Sequence, residues 1–254
     1  MEYGYLTDPG KVRNHNEDSV IVTKNKMGEI LLAVADGMGG HKAGEIASSI
    51  AISHLGKRFS EISSVGTKED AISFIKEMVS EANVLLYKYT SEHEESKGMG
   101  TTIVLAIKTN DFLLFGNIGD SSGYVLKNNK LQKITTEHTL VSLLVKSGEL
   151  TLDEAKEHPR KNVLLRALGA TNTVEMDIFD VENDVDGILL CSDGLTNMLD
   201  DEQITKVIID ESLTIDEKLK KLIVKSNNRG GTDNISVAYL SLRDGVKWLL
   251  EEIK

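Results

Sequence analysis

The chain is short of cysteine, proline and positive charge, and it has no long apolar run. Its 254 residues hold one cysteine, Cys191, inside the apolar stretch "ILLCSD". It can form no internal disulfide, and a solitary cysteine in such a run is usually a small buried hydrophobe. Only two prolines occur, Pro9 and Pro159, and no Pro-rich or Ser/Gly-rich linker or solenoid-length repeat is visible. One domain over residues 1–254 is therefore expected. The net charge of −11 argues against nucleic acid as a partner, since binding its backbone needs a basic face. No run approaches the roughly 18 apolar residues of a membrane span. The opening "MEYGYLTDPG" lacks the basic leader and apolar stretch of a signal peptide. The expectation is a cytoplasmic chain with neither nucleic-acid nor membrane partner.

Apolar residues recur at helical spacing in several segments. Ala43, Ile46, Ala47, Ile50 and Ala51 form one stripe. Ala71, Phe74, Ile75, Met78, Val79, Ala82, Leu85 and Leu86 form a second, suited to pack against the first as an antiparallel pair. Ile215, Leu219, Leu222 and Ile223 suggest a third helix, and Val246, Leu249, Leu250 and Ile253 a last one. Short β-rich runs cover 19–23, 29–35, 101–107, 111–117, 122–127, 130–134, 187–192 and 235–241, with Asn128 and Asn129 as a hairpin turn. Strand runs and helix runs are segregated, which favours α+β with antiparallel sheets. Two packed sheets with helices outside would use every apolar face.

Carboxylates border these strands. Asp36 follows "ILLAVA", Asp120 follows "FLLFGNIG", Asp193 follows "ILLCS", and Asp233 precedes "NISVAYL". Glu17 and Asp18 stand before the run at 19–23. A single Asp-Gly is commonly just a turn. Acids at so many strand ends form a set, and like charges gathered at one sheet edge need positive compensation. Oxygen ligands without a Cys/His cluster suit Mg²⁺ or Mn²⁺ and disfavour zinc. Carboxylates sharing two ions fit water activation for attack on phosphorus. Arg13, on the same N-terminal segment, has the planar fork that matches a phosphate face.

These pieces resemble the metal-dependent protein serine/threonine phosphatases of the type 2C class, in their compact bacterial form. The matching motifs are "VRNHNED" (12–18), "ADGMGGHKAGEIAS" (35–48), "GMGTT" (98–102), "NIGDSSGY" (117–124), "TEHTLV" (136–141), "HPRKNVLLRALG" (158–169), "LLCSDGLTNML" (189–199) and "GGTDNISV" (230–237). The resemblance implies a four-layer α-β-β-α sandwich of two antiparallel sheets flanked by helices. It implies that Asp36 bridges two core ions, Mn²⁺ or Mg²⁺, with the Gly37 carbonyl on one and Asp193 and Asp233 on the other. It further implies that Asp120, with Asp193, holds a third, weaker ion, that Glu17 and Asp18 hold metal-bound waters, and that Arg13 holds the substrate phosphate. Residues about 145–168 resemble the flap beside the site. The implied reaction is attack of a metal-bridged hydroxide on phosphoserine or phosphothreonine of protein substrates, opposing a bacterial Ser/Thr kinase, by a monomer.

Some positions depart from the family pattern. Met38 stands where a histidine is often proposed as general acid, with His41 nearby. Ser122 and Gly123 stand where bacterial relatives commonly carry an arginine, and Glu137 where aspartate is usual. Two other readings remain to be separated by experiment: a non-catalytic relative kept as an interaction module, and the same chemistry on a small phosphate ester.

Overall fold

The computed structural model describes residues 1–39 and 43–243. His41 and the C-terminal helix expected at Val246, Leu249, Leu250 and Ile253 lie outside the described residues. Strands β1 (Glu2–Asp8), β2 (Asp18–Lys24) and β3 (Ile30–Met38) come first, then helices α1 (Ala43–Glu61) and α2 (Lys68–Glu92). Next are β4 (Gly100–Thr101), β5 (Ile103–Lys108), β6 (Leu113–Ile118), β7 (Ser122–Lys127) and β8 (Lys130–Lys133). Helices α3 (Leu140–Ser147) and α4 (Leu152–Glu157) lead to β9 (Asp177–Val181) and β10 (Gly187–Cys191). Helices α5 (Asp193–Thr196), α6 (Asp201–Ile208) and α7 (Ile215–Asn228) precede β11 (Ile235–Ser241).

The strands form two antiparallel sheets, one ordered β1-β11-β10-β7-β8 and the other β2-β3-β5-β6-β9, with β4 extending the second against β3. Strand alternation produces the layers, because successive side chains point to opposite faces. In β3, Ile30, Leu32 and Val34 face the space between the sheets, where they meet Phe115, Ile188, Leu190 and Leu240. Leu31, Ala33 and Ala35 face outward onto Ala47, Leu55, Ile75 and Met78 of α1 and α2. In the other sheet, Leu189, Cys191, Val237 and Tyr239 turn outward onto Val207, Leu219 and Leu222 of α6 and α7. The result is the expected α-β-β-α sandwich, and Cys191 is buried within it.

Local chemistry fixes the elements. Thr67 and Asp70 close a capping box at the start of α2, and Thr214 and Glu217 do the same for α7. Asn128 and Asn129 both have positive φ, 53° and 60°, as the two-residue turn between β7 and β8 requires.

Three differences from the sequence reading matter. First, Asp36 does not end its strand. Pairing with β5 stops at Val34↔Val104 and resumes on β4 at Gly37↔Thr101, while Asp36 pairs with Asp18 of β2 across the gap, so Asp36 and Gly37 lie within β3. Second, β1 and β9 carry little apolar pattern and were not expected; both are strands at sheet edges. Third, α3, α4, α5 and α6 add short helices of eight residues or fewer, below the length at which periodicity is legible.

Candidate metal centre

The five aspartates reach one region from different elements. Asp18 opens β2 directly across from Asp36 of β3. Asp193 is the first residue of α5, immediately after β10. Asp120 follows β6 in a turn where Gly119 takes φ of 104°, and Asp233 stands just before β11. Asp36, Asp120, Asp193 and Asp233 line one cleft of about 480 Å³, together with Arg13, Glu17 and Gly37.

The backbone of Asp36 is held from three directions. Its N–H donates to Thr102 Oγ1 at 2.9 Å, and its carbonyl accepts from Thr102 N at 2.8 Å and Thr101 Oγ1 at 2.9 Å. Thr102 Oγ1 also meets Ser121 Oγ at 2.8 Å, which ties the Asp36 strand to the Asp120 turn. Gly37 admits close backbone approach: a Cβ there would lie 2.1 Å from the Gly44 carbonyl oxygen. Gly194 is equally confined, since its Cβ would lie 2.0 Å from the Asn234 carbonyl oxygen. The two Asp-Gly pairs are therefore crowded junctions.

Burial and mutual repulsion dominate the electrostatics. Asp36 is pushed well above the ordinary carboxylate range by burial first, then by Asp18, Asp193, Asp120 and Asp233. Burial raises Asp18 to about 7, although it accepts a 2.7 Å hydrogen bond from Ser192 Oγ. Burial, then Asp193 and Glu137, raises Asp120 to about 7. Burial and Asp233 raise Asp193 to about 6, against a 3.0 Å hydrogen bond from Asn197 Nδ2. Glu17 is also raised, chiefly by burial, with Arg13 pulling the other way. Arg13 donates from Nη2 to Asp233 Oδ2 at 2.9 Å and reaches the Thr232 carbonyl at 3.4 Å.

A profile described as protein phosphatase 2C matches residues 11–224. The chain belongs to the protein phosphatase 2C family. It is 41% identical over 238 residues to the serine/threonine phosphatase stp of Listeria welshimeri, covering 93% of this chain and 94% of that one. It is 35% identical over 249 residues to the protein phosphatase PhpP of Streptococcus pneumoniae, covering 96% and 98%. The solved structure of the S. agalactiae serine/threonine phosphatase superposes with a TM-score of 0.90 at 36% identity, covering 95% and 99%. Membership makes the chain a phosphoprotein phosphatase of a family that depends on Mn²⁺ or Mg²⁺.

The residues present fit such ions. Asp18 Oδ1 and Asp193 Oδ1 are buried with no hydrogen-bond partner among the described residues, an arrangement that costs free energy unless a cation or ordered water answers it. Four aspartates facing one cleft supply oxygen donors of the kind Mg²⁺ or Mn²⁺ takes, with room for the several waters such ions keep.

Sequence reasoning missed the residues that support the site. Asn234 and His138 are buried and hydrogen-bonded to the backbone of the loops that carry Glu17 and Asp120. Gly119 N–H donates to His138 Nδ1 at 3.1 Å, which leaves the ring proton on Nε2, facing Asp177 Oδ2 at 3.1 Å. Leu164, Leu165 and Arg166 form the cleft wall opposite, and Arg166 Nη1 bonds Asp177 Oδ1 at 2.7 Å. An asparagine directly after Asp233 and a histidine directly after Glu137 were the available signals. Ser122 and Gly123, the departures from the family pattern, are buried in β7 opposite Cys191 and Leu190. A Cβ on Gly123 would lie 2.8 Å from the Phe115 ring, so packing governs that position.

Proposed function

We propose that the chain hydrolyses phosphoserine and phosphothreonine in proteins and that its ions sit among Asp36, Gly37, Asp193 and Asp233. Asp36 would contribute to both core ions, the Gly37 carbonyl to one, and Asp193 and Asp233 to the other; Asp120 with Asp193 would hold a third, weaker ion. Glu17 and Asp18 orient the water around them. Bound there, Mn²⁺ or Mg²⁺ supplies Lewis-acid polarisation and an activated water. The observation that carries the reading is the one cleft into which four aspartates converge, each from a different segment of the chain.

Arg13 binds and orients the phosphate. Its Nη2 and Nε are directed at Asp233 and Thr232, and a guanidinium has five N–H donors, so others remain for an anion. Planar donation to the phosphate oxygens neutralises charge that grows toward the transition state. The flap, residues about 145–168, governs access from the opposite side; it contains α4 and ends at Leu168, whose N–H and C=O exchange hydrogen bonds with Thr101. The names of the relatives support serine/threonine specificity. We place the enzyme opposite a Ser/Thr kinase, as a cytoplasmic monomer. No described helix is long and apolar enough to cross a membrane.

The test is phosphate release from a phosphothreonine peptide in Mn²⁺, then with excess chelator. Release that the chelator stops is expected. No release from folded protein in any metal would favour an interaction module. Comparable turnover of small phosphomonoesters and no preference for peptide would favour a small-ester hydrolase.

A further inference from the structure

We propose that Asn234 is the positioning residue that sets Arg13, the phosphate anchor, against the metal-binding aspartates. The inference rests on the assignment of Arg13 to phosphate. Asn234 is buried, 5% exposed, and the three hydrogen bonds its side chain makes among the described residues all go to the N-terminal segment. Its Nδ2 donates to the Pro9 carbonyl and to the His15 carbonyl, each at 2.9 Å. Its Oδ1 accepts from Glu17 N at 2.8 Å. One amide thus clamps residues 9, 15 and 17, which bracket Arg13 and include Glu17.

The main chain of Asn234 works on the other side. Its N–H donates to Asp233 Oδ1 at 2.9 Å, turning that carboxylate so that Oδ2 meets Arg13. Its carbonyl packs against Gly194, where no Cβ fits, and so abuts the Asp193 corner. Backbone bonds from Lys11 and Val12 to the Gly231 carbonyl and from Gly37 to the Glu17 carbonyl hold its two ends, and Asn234 ties those ends to each other. Residues 9–17 contain no helix or strand, and most are half-buried or exposed. Gly10 has φ of 78°, and a Cβ there would lie 2.3 Å from the Asp233 carbonyl oxygen, so the segment can approach only this closely and in this conformation. A buried side chain that spends all its hydrogen bonds on the backbone of such a segment fixes where Arg13 stands.

Asn234 therefore acts through Arg13, and this separates it from a residue that merely stabilises the fold. The experiment is a double-mutant cycle in Mn²⁺: Arg13→Ala, Asn234→Ala and the double variant, each measured for KM and kcat on a phosphothreonine peptide. Asn234→Ala is expected to raise KM about tenfold, more than it lowers kcat, as loss of ground-state phosphate binding does. Added to Arg13→Ala, it should raise KM no further than about twofold, because residues acting as a unit are not additive. Amide hydrogen exchange over residues 11–17 should quicken in Asn234→Ala while β3 and β10 stay protected. If Asn234→Ala does not fold, Asn234→Asp serves: it keeps the acceptor for Glu17 N and loses both donors, and the same non-additivity is expected. A KM rise that multiplies with that of Arg13→Ala, or unchanged exchange at 11–17, overturns the positioning role alone. An unchanged KM in Arg13→Ala overturns the phosphate assignment, and the inference falls with it.

Discussion

Without divalent cations the protein should become less stable as pH rises from 5 to 7.5. Asp18 shows why. It is 6% exposed, and burial raises it from 3.8 to about 7. A folded-state value above the unfolded one means that the native protein holds more protons between those limits. Stability from this group is complete below pH 3.8 and is lost as pH climbs through 7. Between pH 5 and 7.5 the loss covers about two pH units, or about 2.7 kcal/mol at 1.36 kcal/mol per unit. Asp36, Asp120 and Asp193 are raised too, but they share one field with Asp18, so their losses are not summed. Asp177 and Glu81, held low by His138 with Arg166 and by Arg58 with His54, are already ionised at pH 5 and do not cancel the trend. At roughly 2–4 °C per kcal/mol for a chain of this size, Tm in chelator should fall by roughly 5–11 °C across the window. Mn²⁺ should remove most of that fall, because it binds the ionised carboxylates and binds more tightly as pH rises. Scanning calorimetry at four pH values, with and without Mn²⁺, makes the comparison. A Tm in chelator that is flat or rises, or one that falls equally with Mn²⁺ present, would refute the reasoning.

Substitutions test the ligands directly. Asp193→Ala should reduce phosphate release at least about 100-fold at any practical Mn²⁺ concentration, and near-normal turnover would sink the two-ion assignment. Gly37→Ala forces a Cβ to 2.1 Å from the Gly44 carbonyl. It should cost about 1–3 kcal/mol by denaturant titration and weaken Mn²⁺ binding by calorimetry; wild-type values for both would mean the crowding at β3 is relieved cheaply. Asp120→Ala should keep both core ions in calorimetric titration yet lower kcat about tenfold or more; full activity would reduce Asp120 to a turn residue.

The layers and the set of aspartates that shares the cleft were legible in the sequence because both depend on strong local patterns. β11 and β7 appear over the residues that their apolar runs mark, 235–241 and 122–127, and the α2 stripe lands on the core face at Ala71, Ile75, Met78, Val79, Ala82 and Leu86. The aspartates were visible because each abuts such a run. What hid was whatever depends on partners distant in sequence. β1 reads as "EYGYLTD", and its glycine has a tertiary cause: a Cβ on Gly4 would press on Ile215 of α7 at 2.9 Å. β9, "DIFDV", pairs through its backbone with β6, and its acids at 177 and 180 serve His138, Arg166 and Lys68. Asn234 has no local pattern to mark it. Its role lies with residues 9, 15 and 17, and no window of neighbouring residues contains that information.

The ladder that joins β1 to β11 gives the enzyme a built-in delay. Glu2 pairs with Ser241 and Asp8 with Ile235, so β1 must wait for β11, which is made long after it. Arg13, Glu17, Asp18 and Asp36 are synthesised well before Asp233 and Asn234. A nascent chain that stops before Ile235 has an unpartnered β1, one open edge on β10 and a cleft lacking one wall. Such long-range pairing is slow to form and exposed while it waits. Chains truncated or stalled before β11 should therefore be silent as phosphatases and sticky as polypeptides, and the cell would meet hydrolytic activity only from chains translated through β11.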